Sequence, residues 1–199
     1  DYTKVSGDTG IGATPVRDGD DGPYANVGFY DTLEGFPSLG KTESTGIALQ
    51  ADHEFSAFDF KSTTAYRDVD SYQQFSVLRD PAVPNAQEAR TDNTQKTFTQ
   101  GFQFTSKGSG PFQWVAGLFY MDDSSRYNSP NGFSVVAATP LGQVKVANIG
   151  SKQDLESVSG YVDGSYEITE ATKFTAGLRY TADDRDFVGR HNPRPTVAV

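Results

Sequence analysis

At 199 residues the chain is long enough to bury a core, and a net charge of -9 with an isoelectric point near 4.6 denies it the basic footprint a nucleic-acid partner requires. The absence of cysteine excludes disulfide frameworks, thiolate metal sites and cysteine nucleophiles. Aromatic residues make up 13% of a chain whose mean hydropathy is -0.53, a combination that puts rings at a surface or interface instead of in a Leu/Ile/Val core.

No run of ~18 apolar residues is present, so a transmembrane helix is excluded; a membrane strand is not, because its signal falls on every second residue only. The sequence begins at Asp1 without a basic or apolar leader, and the expectation is that any secretion signal has been removed or lies outside it.

Residues 1–44 carry Gly and Pro at turn-like intervals and keep no sustained period, which predicts a long loop. Within it Asp18-Gly19-Asp20-Asp21-Gly22 offers oxygens but lacks the twelve-residue ligand spacing and terminal Glu of a calcium loop, so it reads as a solvated acidic turn. From Thr45 the pattern alternates. Ile47, Leu49 and Ala51 share one parity, a short turn follows near Glu54-Phe55-Ser56, and Phe58, Phe60, Ser62, Thr64 and Tyr66 alternate with Asp59, Lys61, Thr63, Ala65 and Arg67. This predicts a first hairpin over about 45–69.

Residues 77–94, with Pro81, Pro84 and Asn85, are expected to be a loop. A second hairpin spans about 95–123. It turns at Lys107-Gly108-Ser109-Gly110 and returns through Phe112, Trp114, Ala116, Leu118 and Tyr120, an apolar parity that stops at Asp122-Asp123. Gln100 interrupts the matching parity of Phe98, Phe102 and Phe104. A polar connection is expected over about 124–153, with a short apolar patch at 133–138, and a third hairpin over about 154–188. Its last strand, with Phe174, Ala176, Leu178, Tyr180 and Ala182 opposite Lys173, Thr175, Gly177, Arg179 and Thr181, is the cleanest alternation in the chain. Residues 189–199 begin a further loop.

Turns therefore alternate short and long, and the anchors Phe60, Trp114 and Phe174 recur at one hairpin plus one long loop. Short turns on one side and long loops on the other describe a transmembrane β-barrel wall of about six strands, all-β and antiparallel up-and-down. Trp114, Phe174 and Phe60 near the short turns, Tyr66, Tyr120 and Tyr180 near the long loops, and Leu118 and Leu178 between them form the expected lipid-facing and interfacial set.

Thr63-Thr64-Ala65-Tyr66-Arg67-Asp68, then Phe98 to Ser106, then Trp114-Val115-Ala116-Gly117-Leu118-Phe119-Tyr120, then Thr175 to Thr181 resemble, in order and spacing, the barrel domain of TonB-dependent outer-membrane receptors. The resemblance covers about residues 45–188. It implies a Gram-negative outer-membrane location, contact with outer-membrane lipid, and a share in taking up a scarce ligand such as a ferric siderophore, cobalamin, haem or a glycan. In that family a barrel of about 22 strands surrounds a plug, and TonB acts on the plug. No plug or TonB-box-like segment is seen here, and six strands fall short of the ~8 with which bacterial barrels begin, so the chain is expected to be an internal part of a receptor barrel, linked to TonB only through a plug it does not carry.

A soluble β-sandwich or adhesin-like binding module is the competing reading, since alternating strands and Gly/Pro turns serve it equally. Catalysis is not expected: His53 and His191 are the only histidines, and no motif ties a nucleophile to either. No cofactor or metal site is expected. Ligand contact is expected at loop aromatics, Tyr24, Tyr30, Tyr127 and Phe133, and at the lumen-parity charges Arg67 and Arg179. Loop packing accounts for the rings equally well, and a salt-bridged wall accounts for the charges.

Overall fold

The computed structural model describes residues 2–7, 39–76, 87–127, 133–139, 142–192 and 196–197. These form nine strands: β1 Tyr2–Gly7, β2 Leu39–Glu54, β3 Phe58–Ser76, β4 Gln87–Ser106, β5 Phe112–Tyr127, β6 Phe133–Thr139, β7 Gly142–Thr169, β8 Thr172–Asn192 and β9 Thr196–Val197. All nine belong to one antiparallel sheet, and among the described residues there is no helix and no second layer. The sheet runs β1-β2-β3-β4-β5-β7-β8, each strand beside its sequence neighbour except where β6 intervenes.

The three hairpins lie where alternation predicts them. Their turns are short: residues 55–57 join β2 to β3, 107–111 join β4 to β5, and 170–171 join β7 to β8. Gly108 has φ 111°, a left-handed conformation that costs a Cβ-bearing residue about 1–2 kcal/mol, so glycine there sets the tight reversal. Backbone bonds join each turn to its neighbour. Lys107 N–H donates to Ala57 carbonyl at 3.0 Å, and Glu167 N–H donates to Pro111 carbonyl at 2.8 Å.

Register places all the apolar alternation on one face. Phe60, Phe104, Ala116, Val162 and Leu178 lie in one line across β3, β4, β5, β7 and β8, and Ser62, Phe102, Leu118, Gly160 and Tyr180 lie in the next. On each strand this apolar stretch is nine residues long: 58–66, 98–106, 112–120, 158–166 and 174–182. Eight steps at ~3.3 Å per residue is ~26 Å along the strand, or ~19 Å of height at a tilt of ~40–45°. The stretch is displaced by one pleat between β3 and β5, since Phe58 pairs with Ser106 on β4 while Phe112 on β5 pairs with Tyr166 on β7. A tilted sheet produces such a stagger.

The strands are longer than hydrophobic alternation suggests. Residues 77–94 are strand from Gln87 onward, residues 124–127 complete β5, and most of 133–153 belongs to β6 and β7. The loops expected over 77–94 and 124–153 are correspondingly shorter, and about six strands become nine. At the amino-terminal end, Tyr2–Gly7 pairs with 40–45 of β2, inside the stretch expected to be loop, and β8 and β9 extend to 192 and 196–197 within the expected final loop. The physical reason is common to all of these. Beyond the apolar stretch both faces are polar, so the period of two disappears from hydropathy while the ladder of backbone bonds continues. β6 occupies the slot between β4 and β7 above the end of β5: Arg90 pairs with Ser134, and Ile149 with Phe133.

Candidate functional site

The two faces of the sheet differ in chemistry. On the apolar face Ile47, Leu49, Leu118, Phe174, Leu178 and Tyr180 are exposed, with Leu178 and Tyr180 at 73% and 74%. Rings gather where the first two hairpins turn. His53 meets Phe55 edge-on at 4.4 Å, Phe55 lies 4.7 Å from Phe58, and Phe58 lies 6.5 Å from Trp114. Phe60 packs on Phe104 at 5.2 Å and on Phe102 at 6.0 Å, and Phe98 lies 6.3 Å from Tyr120 at the far end. His53 is thus one ring of an aromatic cluster.

Gln100, the polar residue that interrupts this face, is fully engaged. Its amide oxygen accepts from Thr64 Oγ1 at 2.5 Å and its amide nitrogen donates to Ser62 Oγ at 3.1 Å, so three polar side chains satisfy one another within an apolar surround. The apolar stretch ends at a line of acids: Asp122, Glu156 and Asp184 are register partners on β5, β7 and β8. Further out on this parity the charges pair, across strands for Lys96 with Asp68 at 3.3 Å and Glu43 with Lys4 at 2.7 Å, and along β2 for Glu43 with Lys41 at 2.9 Å. Hydrogen bonds from Lys4 and then Lys41 hold the Glu43 carboxyl down at about 2.

The opposite face carries the polar network. At the short turns Lys107 binds Asp59 at 2.7 Å and Glu54 at 3.0 Å, and these two carboxylates push its ammonium above its ordinary value. Lys61 meets Asp52 at 3.8 Å. Midway, Tyr161 lies across Gly117: a Cβ at Gly117 would run into the ring, so any larger residue there requires the Tyr161 side chain to shift. Asp163 leans the other way over Gly177 on β8, its carboxylate 2.6 Å from where a Cβ would be. Arg179 donates to Thr181 Oγ1 at 3.2 Å and Ser159 Oγ at 3.3 Å. Asp123 is buried and accepts from Gln95 at 2.8 Å and Thr97 at 2.5 Å, while Asp183 accepts from Ser157 at 2.6 Å.

Above Asp123 the polar face opens into a shallow cavity of about 340 Å³ between β3 and β8. Gln95, Ser125, Gln153 and Phe187 share one of its register lines, and Ser71, Asn93, Tyr127 and Ser151 share the next. The residues singled out from sequence are therefore dispersed. Tyr127 lies at this cavity, Arg67 one register line nearer the apolar level and beside Asp123's strand partner Thr97, and Arg179 lower still on the same face. Phe133 is placed by register opposite Ile149, and Tyr24 and Tyr30 lie outside the described residues. Sequence reading missed Phe187, Gln95 and Gln153, which lie beyond the apolar alternation; only the continued parity count past Asp183 and Asp123 marks them.

Among the described residues no group of three or more His, Asp or Glu is placed to hold a metal ion, and no helix is long and apolar enough to cross a membrane, which says nothing of strands. A search of curated proteins returned no match. The family model described as TonB dependent receptor-like, beta-barrel matches residues 1–197. That family is one of transporters and receptors of the Gram-negative outer membrane, and the all-β, single-sheet, up-and-down hairpins fit its barrel. By a match covering nearly its whole length, the chain belongs to the TonB-dependent receptor β-barrel family.

Proposed function

We propose that this chain forms part of the wall of a TonB-dependent transporter, its apolar face against outer-membrane lipid and its polar face lining the path of a scarce ligand such as a ferric siderophore, cobalamin, haem or a glycan. The observation that carries this reading is the nine-residue apolar stretch shared by five strands, tipped with rings and closed by Asp122, Glu156 and Asp184. Nine residues is what a tilted membrane strand requires, and rings suit the headgroup level. A soluble sandwich would cover this face with a second sheet; Leu178 at 73% exposure and Leu118 at 57% fit a face covered by lipid instead.

Trp114, Phe60 and Phe174 then sit at the periplasmic interface and Tyr66, Tyr120 and Tyr180 towards the outer one, with the longer connections outside the cell. TonB acts through a plug domain, and the polar face is where plug and solute meet the wall. Fractionation of cells expressing the parent protein tests this: retention in the outer membrane after an alkaline wash, with ligand uptake lost when TonB is deleted, is the expected result. Recovery in the soluble fraction, or uptake indifferent to TonB, would refute it.

A further inference from the structure

The two register lines of the cavity above Asp123 carry no charge on the parity that lines it. Below it stand Arg67, Asp123 and Arg185, register neighbours on β3, β5 and β8. Around it the polar-face side chains are amides and hydroxyls, Gln95, Gln153, Ser125 and Ser151 among them, with one aliphatic residue, Val69, and two rings, Tyr127 and Phe187. Thr94 and Arg126, which also border it, belong to the opposite parity.

The rings are placed by the fold. Tyr127 stands on β5 and Phe187 on β8, two strand spacings or about 10 Å apart, with β7 between them supplying Ser151 and Gln153 as a floor. Phe187 lies along Gly189, its ring 3.5 Å from where a Cβ would be, an ordinary contact distance. Both rings are solvent-exposed, at 46% and 64%. Gln95 is held from beneath, its amide nitrogen donating to the buried Asp123 at 2.8 Å; this fixes the amide and leaves its oxygen as an acceptor.

From this chemistry we infer that the cavity is a saccharide subsite, taking one or more rings of a neutral oligosaccharide on its way along the polar face of the wall. A sugar presents hydroxyls that both donate and accept, which amides and serine hydroxyls match, and C–H faces that pack on aromatic rings. A solute whose recognition depends on charge finds no counter-charge on these residues. The inference rests on the transporter reading and adds the class of ligand.

The test uses the full-length parent receptor in detergent, titrated calorimetrically with neutral glucan, galactan, mannan and xylan oligosaccharides, and separately with ferric hydroxamate and ferric catecholate chelates. Saccharide binding is expected, weakened about tenfold or more by Tyr127→Ala and by Phe187→Ala, as for aromatic anchors elsewhere. Gln153→Leu is expected to weaken it as well, and Lys173→Ala, at the short-turn end of β8, to leave it within about twofold. Circular dichroism of each variant separates lost binding from lost folding, and Phe187→Tyr, which keeps the ring, is expected to restore affinity. If no oligosaccharide binds, or if binding ignores both rings, the saccharide assignment fails. If a ferric chelate binds instead, and TonB-dependent uptake of it is seen, the assignment fails while the transporter reading stands; a parent protein absent from the outer membrane removes both.

Discussion

An arginine scan along the apolar parity of β8 measures where the sheet meets lipid. Phe174, Ala176, Leu178, Tyr180 and Ala182 lie on one face at successive heights, with Leu178 at the centre of the stretch and 73% exposed. If that face is in hydrocarbon, Arg costs ~2–4 kcal/mol at the midplane and ~0–1 kcal/mol near either interface. Leu178→Arg is therefore expected to lower the folding equilibrium constant roughly 30- to 1,000-fold, and Phe174→Arg by less than about tenfold. Leu118→Arg on β5, one register line away, is expected to match Leu178→Arg. Thr175→Arg on the opposite parity is the control and is expected to cost under about 1 kcal/mol, since it projects into water. Gly177 is not a neutral control, because any Cβ there meets the Asp163 carboxylate at 2.6 Å. The assay is reversible urea unfolding of the parent barrel in lipid vesicles. A profile that peaks at Leu178 and falls on both sides is expected. A flat profile, or equal costs on the two parities, would refute the assignment of this face to lipid.

Three further predictions concern local structure. Gly117→Ala drives a Cβ into the Tyr161 ring and is expected to cost about 1–3 kcal/mol, recovered in part by Gly117→Ala combined with Tyr161→Ala; additive costs in that double-mutant cycle would show that the two residues do not interact. Gln100→Leu alone strips Thr64 and Ser62 of their shared partner and is expected to destabilise by about 1–3 kcal/mol, whereas S62A, T64V and Q100L together are expected to be near neutral by the same urea assay. Glu43 has its carboxyl lowered from 4.5 to about 2, so its contribution to holding β1 on β2 is fully present above pH 4.5 and is lost as pH falls through about 2. Hydrogen exchange at β1 amides should accelerate across that window, and Lys4→Gln should move the onset towards ordinary glutamate pH; an unchanged onset would contradict the assignment to Lys4.

The hairpins, their turns and the apolar parity were legible in the sequence because one face of each strand is apolar over nine residues. Trp114 to Tyr120 and Phe174 to Tyr180 announce themselves by that contrast alone. β6 and the first part of β7 do not. Val135 and Val136 are adjacent apolar residues at a register shift, and Lys145, Lys152 and Asp154 sit among hydroxyls and amides, so no face stands out. The cavity on the polar face was illegible for a related reason. Its residues come from five strands, β3, β4, β5, β7 and β8, and only pairings such as Gln95 with Ser125, Ser125 with Gln153 and Gln153 with Phe187 bring them into line. Tyr127, a loop aromatic by sequence alone, is the last residue of a strand, with Asn93 and Ser151 as its register partners on either side.

The extra length of the strands sets where a solute is first met. β3 runs ten residues past Tyr66 to Ser76, which at ~3.3 Å per residue and ~40–45° of tilt raises a rigid parapet ~24 Å above the outer ring level. On the proposed placement this rim stands among the sugar chains of the cell surface, clear of the lipid headgroups. Tyr127 and Phe187 then lie within the rim's inner wall, so the proposed subsite stands on stiff ladder at a fixed distance from the bilayer.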